Sequence, residues 1–409
     1  MSISVHSTGE IEECKETSRL KAFLSKKLLP LLFKQFMTIG ILIALFVGFV
    51  FPQLGVWVGS FEGSTYICII MIFLHSGLKL KTAAIKDAVK EYKGFIWGLI
   101  SIVLITTLIG TKLTQQLPFC ESVANYEHDD GNKTSGICDS IVGPREFLIG
   151  FELYYISPCA VAAGIVLTSL AGGDVTLALL LTVTTNILGV VTVPLLATWL
   201  VSVKNVKINT VSLLIKLSST VLIPLIVGKA LTNIKIVKKY VHDYTKTLKV
   251  LSIIFLVCIP WMKISKAKLS GSFAVVSVLN LFIAFVWGLA LHLLMLIVNY
   301  IGALLIRVNL AVRKTLVILA STKTLAITLS VISFLPPEIG DGGLMSLPLI
   351  VVHLTLLLID STWLVHWNTK ESKESLADEE NEIGDDDVSS TKPVCNGFNE
   401  TGASYVTAV

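Results

Sequence analysis

Residues 146–201 read EFLIGFELYYISPCAVAAGIVLTSLAGGDVTLALLLTVTTNILGVVTVPLLATWLV, an apolar run interrupted by Ser157, Pro158, Ala160, Ala162, Ala163 and Gly164 and then resumed. This is the pattern of a membrane helix broken in its middle. Proline lacks a backbone N–H and small residues admit another chain closely, so a helix crossing lipid here must open its hydrogen-bond ladder. In hydrocarbon the freed backbone groups are tolerated only where protein or a water-filled cavity satisfies them, so such a break lines a binding site. Gly172, Gly173 and Asp174 follow as a turn and helix cap, and the next apolar helix carries Thr182, Thr184, Thr185 and Asn186, which are expected to face the break.

The rest of the chain agrees with a membrane setting. With 53% hydrophobic and 15% charged residues and a mean hydropathy of +0.77, 409 residues are too apolar for a soluble protein of two domains. A net charge of +4, with acids gathered in one tail and one loop, gives no sign of nucleic-acid binding. The seven cysteines lack metal-ligand spacing, and only Cys120 and Cys138 share a polar loop.

Spans of about 20 residues are read at 31–52, 64–80, 94–114, 146–170, 175–201, 211–231, 249–262, 272–298, 310–335 and 345–367. Residues 1–30 form a polar leader without the pattern of a cleaved signal, expected in the cytoplasm. Lys79, Lys81, Lys86, Lys90, Lys93, then Lys235, Lys238, Lys239, Lys246, Lys249, then Arg307, Arg313 and Lys314 fall in alternate loops. The positive-inside rule therefore predicts that both termini are cytoplasmic, and it places loop 115–145 outside. That loop carries the acceptor triplet Asn132-Lys133-Thr134 with Cys120 and Cys138, which fits glycosylation and a disulfide; the alternative is an unmodified loop with two free thiols. Residues 368–409 are acidic and expected to be disordered, and Thr407-Ala408-Val409 has the form of a PDZ ligand or of an uninvolved tail.

Five spans (31–201) are followed by five more (202–367), and an odd unit repeated must enter the membrane from opposite sides. The second half carries its own interruption, Ala320, Ser321, Thr322, Lys323, Thr324 and Ala326, followed by a Gly340-Asp341-Gly342 turn. Corresponding broken helices in inverted halves point to a transport site between the repeats. Lys323 sharpens this, because an ammonium near mid-bilayer asks for an anion, a carbonyl cage or a wet cavity. Glu152 is read as its counter-ion, a proton carrier or an interfacial residue. His353 and Asp360, two turns apart on one helix, are read as sharing a polar channel or as packing contacts, and His75, Asn280 and His292 as interhelical contacts.

Several motifs in order resemble a known family. They are Ser76-Gly77-Leu78 with Leu80-Lys81-Thr82, the stretch from Ser157 through Leu170-Ala171-Gly172-Gly173-Asp174 to Leu179, the run Asn186 through Gly189 to Thr192 and Pro194, and Ser321 with Lys323-Thr324-Leu325. Pro260-Trp261, His292 with Asn299, and His353 with Asp360 add to them. Over about residues 30–367 the chain is similar to the bile acid:sodium symporter family, solute carrier family 10, and within it to the seventh-member branch and the plastid sodium/metabolite cotransporter-like proteins. The resemblance implies an all-α integral membrane fold of ten helices, with a panel domain (spans 1, 2, 6 and 7) and a core domain holding crossed, discontinuous helices 4 and 9. It also implies symport. An enzyme reading, with His353, Asp360 and His366 as a metal site or Asp341 as an intramembrane acid, lacks a mutually supporting constellation, and Ile339 stands where a Gly-x-Gly-Asp protease has glycine.

The chain departs from the family where sodium binds. Ala162, Ala163 and Gly164 stand where the bile-acid members have a Ser-Asn pair, and Ser321, Thr322, Lys323 and Thr324 where they have a carboxylate and amides; Thr182 keeps a sodium-site hydroxyl. Sodium needs oxygen ligands and is repelled by an ammonium, so the expectation is a small organic anion as substrate, weak or absent sodium coupling, and a proton as the other possible coupling ion. The expected site comprises Lys323, Ser321, Thr322, Thr324, Thr182, Asn186, Ser157, Gly164, Glu152, His353 and Asp360, without a cofactor. The second reading is a regulatory membrane protein that binds a ligand there without moving it. The plasma membrane is the expected location, ahead of the endoplasmic reticulum or Golgi.

Overall fold

The computed structural model describes residues 36–61, 63–80, 91–120, 140–201 and 208–386. Asn132, Cys138, the 1–30 leader and Thr407–Val409 lie outside them. Among the described residues the chain is helical, with only isolated bridges in place of strands. In order the helices are α1 Phe36–Val50, α2 Pro52–Ser60, α3 Ser64–Leu78, α4 Tyr92–Thr114, α5 Arg145–Ile156, α6 Val161–Leu170, α7 Val175–Leu200, α8 Thr210–Leu231, α9 Lys235–Asp243, α10 Thr245–Leu269, α11 Val278–Leu305, α12 Leu310–Ser321, α13 Leu325–Phe334 and α14 Gly342–Asp386.

Six of these, α4, α7, α8, α10, α11 and the first part of α14, are long and apolar enough to cross a membrane. The other expected spans are shorter or divided. The first bends by 99° between α1 and α2, because Pro52 has no N–H to continue the ladder and forces Phe51 out of helical geometry (φ −123°, ψ 64°). The second is α3 alone, and the fourth and ninth are the pairs α5/α6 and α12/α13.

Two boundaries differ from expectation. The seventh span does not stop at Pro260 but runs to Leu269 as α10, so Lys263, Lys266 and Lys268 sit on helix and not in a loop. Neighbouring helices hold the proline in place, since Ile259, Pro260, Met262, Ile264 and Ser265 are all buried. At the other end α14 continues for 45 residues to Asp386, roughly 67 Å at about 1.5 Å per residue. Residues 368–386, expected to be disordered, are therefore helical; Glu, Lys, Leu and Ala favour helix, and no proline intervenes before Pro393.

Caps set the remaining boundaries. Asp174 accepts from Thr176 N and Leu177 N at 2.8 and 2.9 Å, and Asp341 from Gly343 N at 2.7 Å. Ser277 and Asn280 form a reciprocal capping box at the start of α11. Asn280 Nδ2 also donates to the Ser140 and Ile141 carbonyls, tying that helix end to the segment before α5.

Helices α1, α2, α3, α8 and α10 pack on one another, while the interrupted pairs pack among α4, α7, α11 and α14. Large apolar side chains cover the outside, including Phe46, Trp57, Leu195, Trp199, Ile223 and Ile226, each more than half exposed. Such a surface has lipid as its natural solvent. The α3–α8 contact depends on two glycines: a Cβ on Gly77 would lie 2.2 Å from Leu225 O, and one on Gly228 2.3 Å from Leu74 O. Gly77→Val should thus force the helices apart at a cost of about 1–3 kcal/mol. The expected result is a lower thermal midpoint in detergent, whereas Gly63→Ala, at a φ of +88° but with open space around it, should leave the α3–α8 packing intact.

Candidate functional site

The two interruptions meet. Helix α5 gives way after Ile156 to Ser157, whose backbone is extended (φ −66°, ψ 150°), and α12 after Ser321 to Thr322 (φ −103°, ψ 122°). Between these ends the strands of backbone pair in antiparallel fashion at Cys159 and Lys323. Ala160 N donates to Thr322 O at 3.3 Å and Thr324 N to Pro158 O at 2.8 Å. Groups that a continuous helix would satisfy internally are thus satisfied by the other break. Side chains reinforce the pairing, with Thr328 Oγ1 donating to Ser157 Oγ at 2.9 Å and Ser157 Oγ to Leu153 O at 2.9 Å. Gly164 allows the close approach, because a Cβ there would meet Leu319 Cδ2 at 2.6 Å.

Lys323 is 2% exposed, and its Nζ donates to Ile102 O at 2.8 Å. That carbonyl is available because α4 contains a π-helical turn, Ser101–Ile105, in which the Thr106 N–H returns to Ser101 O and not to Ile102 O. A defect in one helix therefore receives the cation of another. Glu152 does not serve as its counter-ion: the carboxylate accepts from Gln115 Nε2 at 2.7 Å, and the same amide holds Leu200 O. Among the described residues Lys323 forms no ion pair.

Helix α7 lines the same place. Asn186 Nδ2 donates to Cys159 O at 3.1 Å, within the break, and to Thr182 O of its own helix at 2.7 Å. Asn186 Oδ1 is buried without a hydrogen-bond partner among the described residues. Thr182 and Thr185 hydroxyls stand 3.8 and 3.2 Å from Cys159 Sγ. An orphan acceptor flanked by hydroxyls is equipped to receive a donor or a cation.

The face toward α11 and α14 carries a second polar group. His292 Nε2 lies 2.9 Å from Asp360 Oδ1 and its Nδ1 3.2 Å from Ser321 O. Asn299 receives the Ser101 hydroxyl and reaches Ser321 Oγ at 3.4 Å. His353 Nδ1 meets Tyr154 Oη at 3.1 Å, while Asp360 is held by His292. Of the expected residues, Ser157, Gly164, Thr182, Asn186, Ser321, Thr322, Lys323 and Thr324 come together at the break, Asp360 joins through His292 and His353 through Tyr154, and Glu152 is held by Gln115. The structure adds Cys159, Tyr154, Ser101 and the π-helical turn to the site, and His292 makes the interhelical contacts expected of it. Only the spacing of His292 and Asn299, seven apart like His353 and Asp360, marks that face in the sequence.

Among the described residues no three His, Cys, Asp or Glu side chains converge as a metal site. Cys120 is disulfide-bonded, and its expected partner Cys138 lies outside the described residues. The His292–Asp360 contact makes a prediction. Removing one member of a buried pair strands the other at a cost of about 3–5 kcal/mol, so His292→Leu and Asp360→Leu should each lower the thermal midpoint by several degrees. The double variant should lose less than the sum; strictly additive losses would show that the contact carries no energy.

The comparisons with known proteins bear on the same region. The chain is 28% identical over 360 residues to "Probable sodium/metabolite cotransporter BASS4, chloroplastic" of Arabidopsis thaliana, covering 86% of this chain and 76% of that one. It is 27% identical over 350 residues to the protein of the same name in Oryza sativa subsp. japonica, covering 83% and 76%. It is 26% identical over 227 residues to "Sodium/bile acid cotransporter 7-A" of Xenopus laevis, covering 54% and 57%. The SBF-like CPA transporter family matches residues 35–368, a stretch that holds both interrupted helices and every group described at the break, and the chain is a member of that family of membrane transporters, not of an enzyme family.

Proposed function

We propose that this chain is a secondary transporter of the sodium/bile acid cotransporter type that moves a small organic anion by alternating access, with its substrate site where the two interruptions meet. Counting the bent pair α1/α2, the short α3 and the two interrupted pairs with the six long helices makes ten spans, arranged as two inverted repeats of five. Helices α1–α3, α8 and α10 then form the panel, and the remainder the core. Both termini face the cytoplasm and the protein resides in the plasma membrane, with Asn132 glycosylated outside and Thr407–Val409 open to a PDZ partner.

One observation carries this reading: a fully enclosed ammonium, Lys323, sits at the paired breaks with a backbone carbonyl as its hydrogen-bond partner and no carboxylate in ion-pair range among the described residues. A buried cation so placed favours an anionic group arriving beside it and disfavours a second cation. The half-helices α6 and α13 begin at the same point, so their N-terminal dipole ends add positive potential. Sodium coupling is accordingly weak or absent, and the proton is the other coupling ion. Membership in a transporter family favours transport over the regulatory reading.

The test is uptake of a labelled organic-anion mixture into liposomes, with and without a sodium gradient, by wild type and Lys323→Ala. Loss of one charge-assisted hydrogen bond predicts a fall of about 10- to 100-fold in the variant, and uptake indifferent to sodium. Sodium-driven uptake that survives the substitution would sink the proposal.

A further inference from the structure

Helix α9, between α8 and α10, takes no part in the site, and none of its residues is buried. Its sequence divides cleanly by face. Ile236, Val237, Tyr240, Val241 and, just beyond the helix, Tyr244 follow spacings of one, three and four and make one stripe, while Lys235, Lys238, Lys239 and His242 occupy the opposite side. The apolar stripe is left open: Ile236 is 80%, Tyr240 57% and Tyr244 49% exposed. The two tyrosine rings lie tilted against each other with centroids 4.4 Å apart, a pair suited to the boundary between acyl chains and water.

Position and charge identify what covers this face. Only residues 232–234 separate α9 from the end of α8, and Tyr244 alone separates it from α10. Both flanking helices are long and apolar enough to span a membrane, so α9 is held at the surface where they emerge. Around it stand Lys235, Lys238, Lys239, Lys246 and Lys249, all exposed, and none forms an ion pair among the described residues. The one carboxylate within the helix, Asp243, lies 3.4 Å from His242 Nδ1. Over residues 235–249 five lysines thus stand against one carboxylate.

We propose that α9 is an in-plane docking helix for anionic phospholipid, with Ile236, Tyr240 and Tyr244 at the acyl-chain boundary and the lysines over headgroup phosphates. An amphipathic helix with lysines on its polar face binds a bilayer through both terms, and removing the charges removes the preference for anionic lipid while leaving the apolar contact. A soluble protein docking on the stripe is the competing occupant. The inference is independent of which substrate is carried.

The full-length protein is placed in nanodiscs of phosphatidylcholine alone or with about a third phosphatidylserine, and amide hydrogen exchange is followed in peptides covering 235–246, with peptides from α11 as internal reference. Anionic lipid should slow exchange in 235–246 by at least about tenfold without changing α11. The effect should vanish in K235Q/K238Q/K239Q and in high salt. Equal exchange in the two lipids, an equal change in α11, or an unchanged lipid effect in the triple variant would each overturn the proposal. So would fast exchange of 235–246 in both lipids, the result expected for a face reserved for a soluble partner. Because wild type alone gives the lipid comparison, the test stands even if the variant folds poorly.

Discussion

Everything at the centre of this protein depends on two backbone hydrogen bonds, Ala160 N to Thr322 O and Thr324 N to Pro158 O. Opening a helix inside an apolar interior exposes amides and carbonyls that would each cost several kcal/mol if unpaired. One such break would be a liability; two placed against each other satisfy part of each other's need. The pairing also holds Lys323 and Asn186 at a single point, so the polar chemistry of the molecule is concentrated where the backbone is already irregular.

The same economy extends outward. The π-helical turn of α4 supplies the Ile102 carbonyl to Lys323, and the Ser101 hydroxyl from that turn reaches Asn299, which in turn contacts Ser321. His292 connects Ser321 O with Asp360 on α14. A change in the position of α12 would therefore be felt in α4, α11 and α14 at once, through hydrogen bonds that must break or move together. Packing is tight both at the break and between α3 and α8, with Gly164 in the first and Gly77 and Gly228 in the second marking places where a single methyl has no room.

Much of this was legible from residue order. Apolar runs of membrane length, two interruptions that the fold narrows to 157–160 and 322–324, and the capping aspartates 174 and 341 follow the sequence, because each is a local property of chain chemistry. The bend at Pro52 was equally local, yet went unread, since a proline at the end of a span looks like a terminus. The continuation of α10 through Pro260 and of α14 beyond residue 367 was not legible for opposite reasons. The first rests on neighbouring helices that enclose the proline, the second on helix propensity prevailing in a strongly acidic segment.

The partners of the polar residues were the least legible. Charge alone allows Glu152 as counter-ion to Lys323, and spacing alone says only that His353 and Asp360 lie on one face; Gln115 meets Glu152, Tyr154 meets His353 and His292 meets Asp360, because helices distant in sequence bring those groups within reach. The amino-acid sequence by itself determined that the chain is an all-helical membrane protein with two interrupted helices and a lysine in one of them, since hydropathy, small residues and proline act over a few turns. The tertiary structure alone decided that the interruptions pair with each other, that a π-helical carbonyl receives the lysine, and which acid meets which histidine, because hydrogen bonds are satisfied by proximity in space and that proximity is set only when the helices pack.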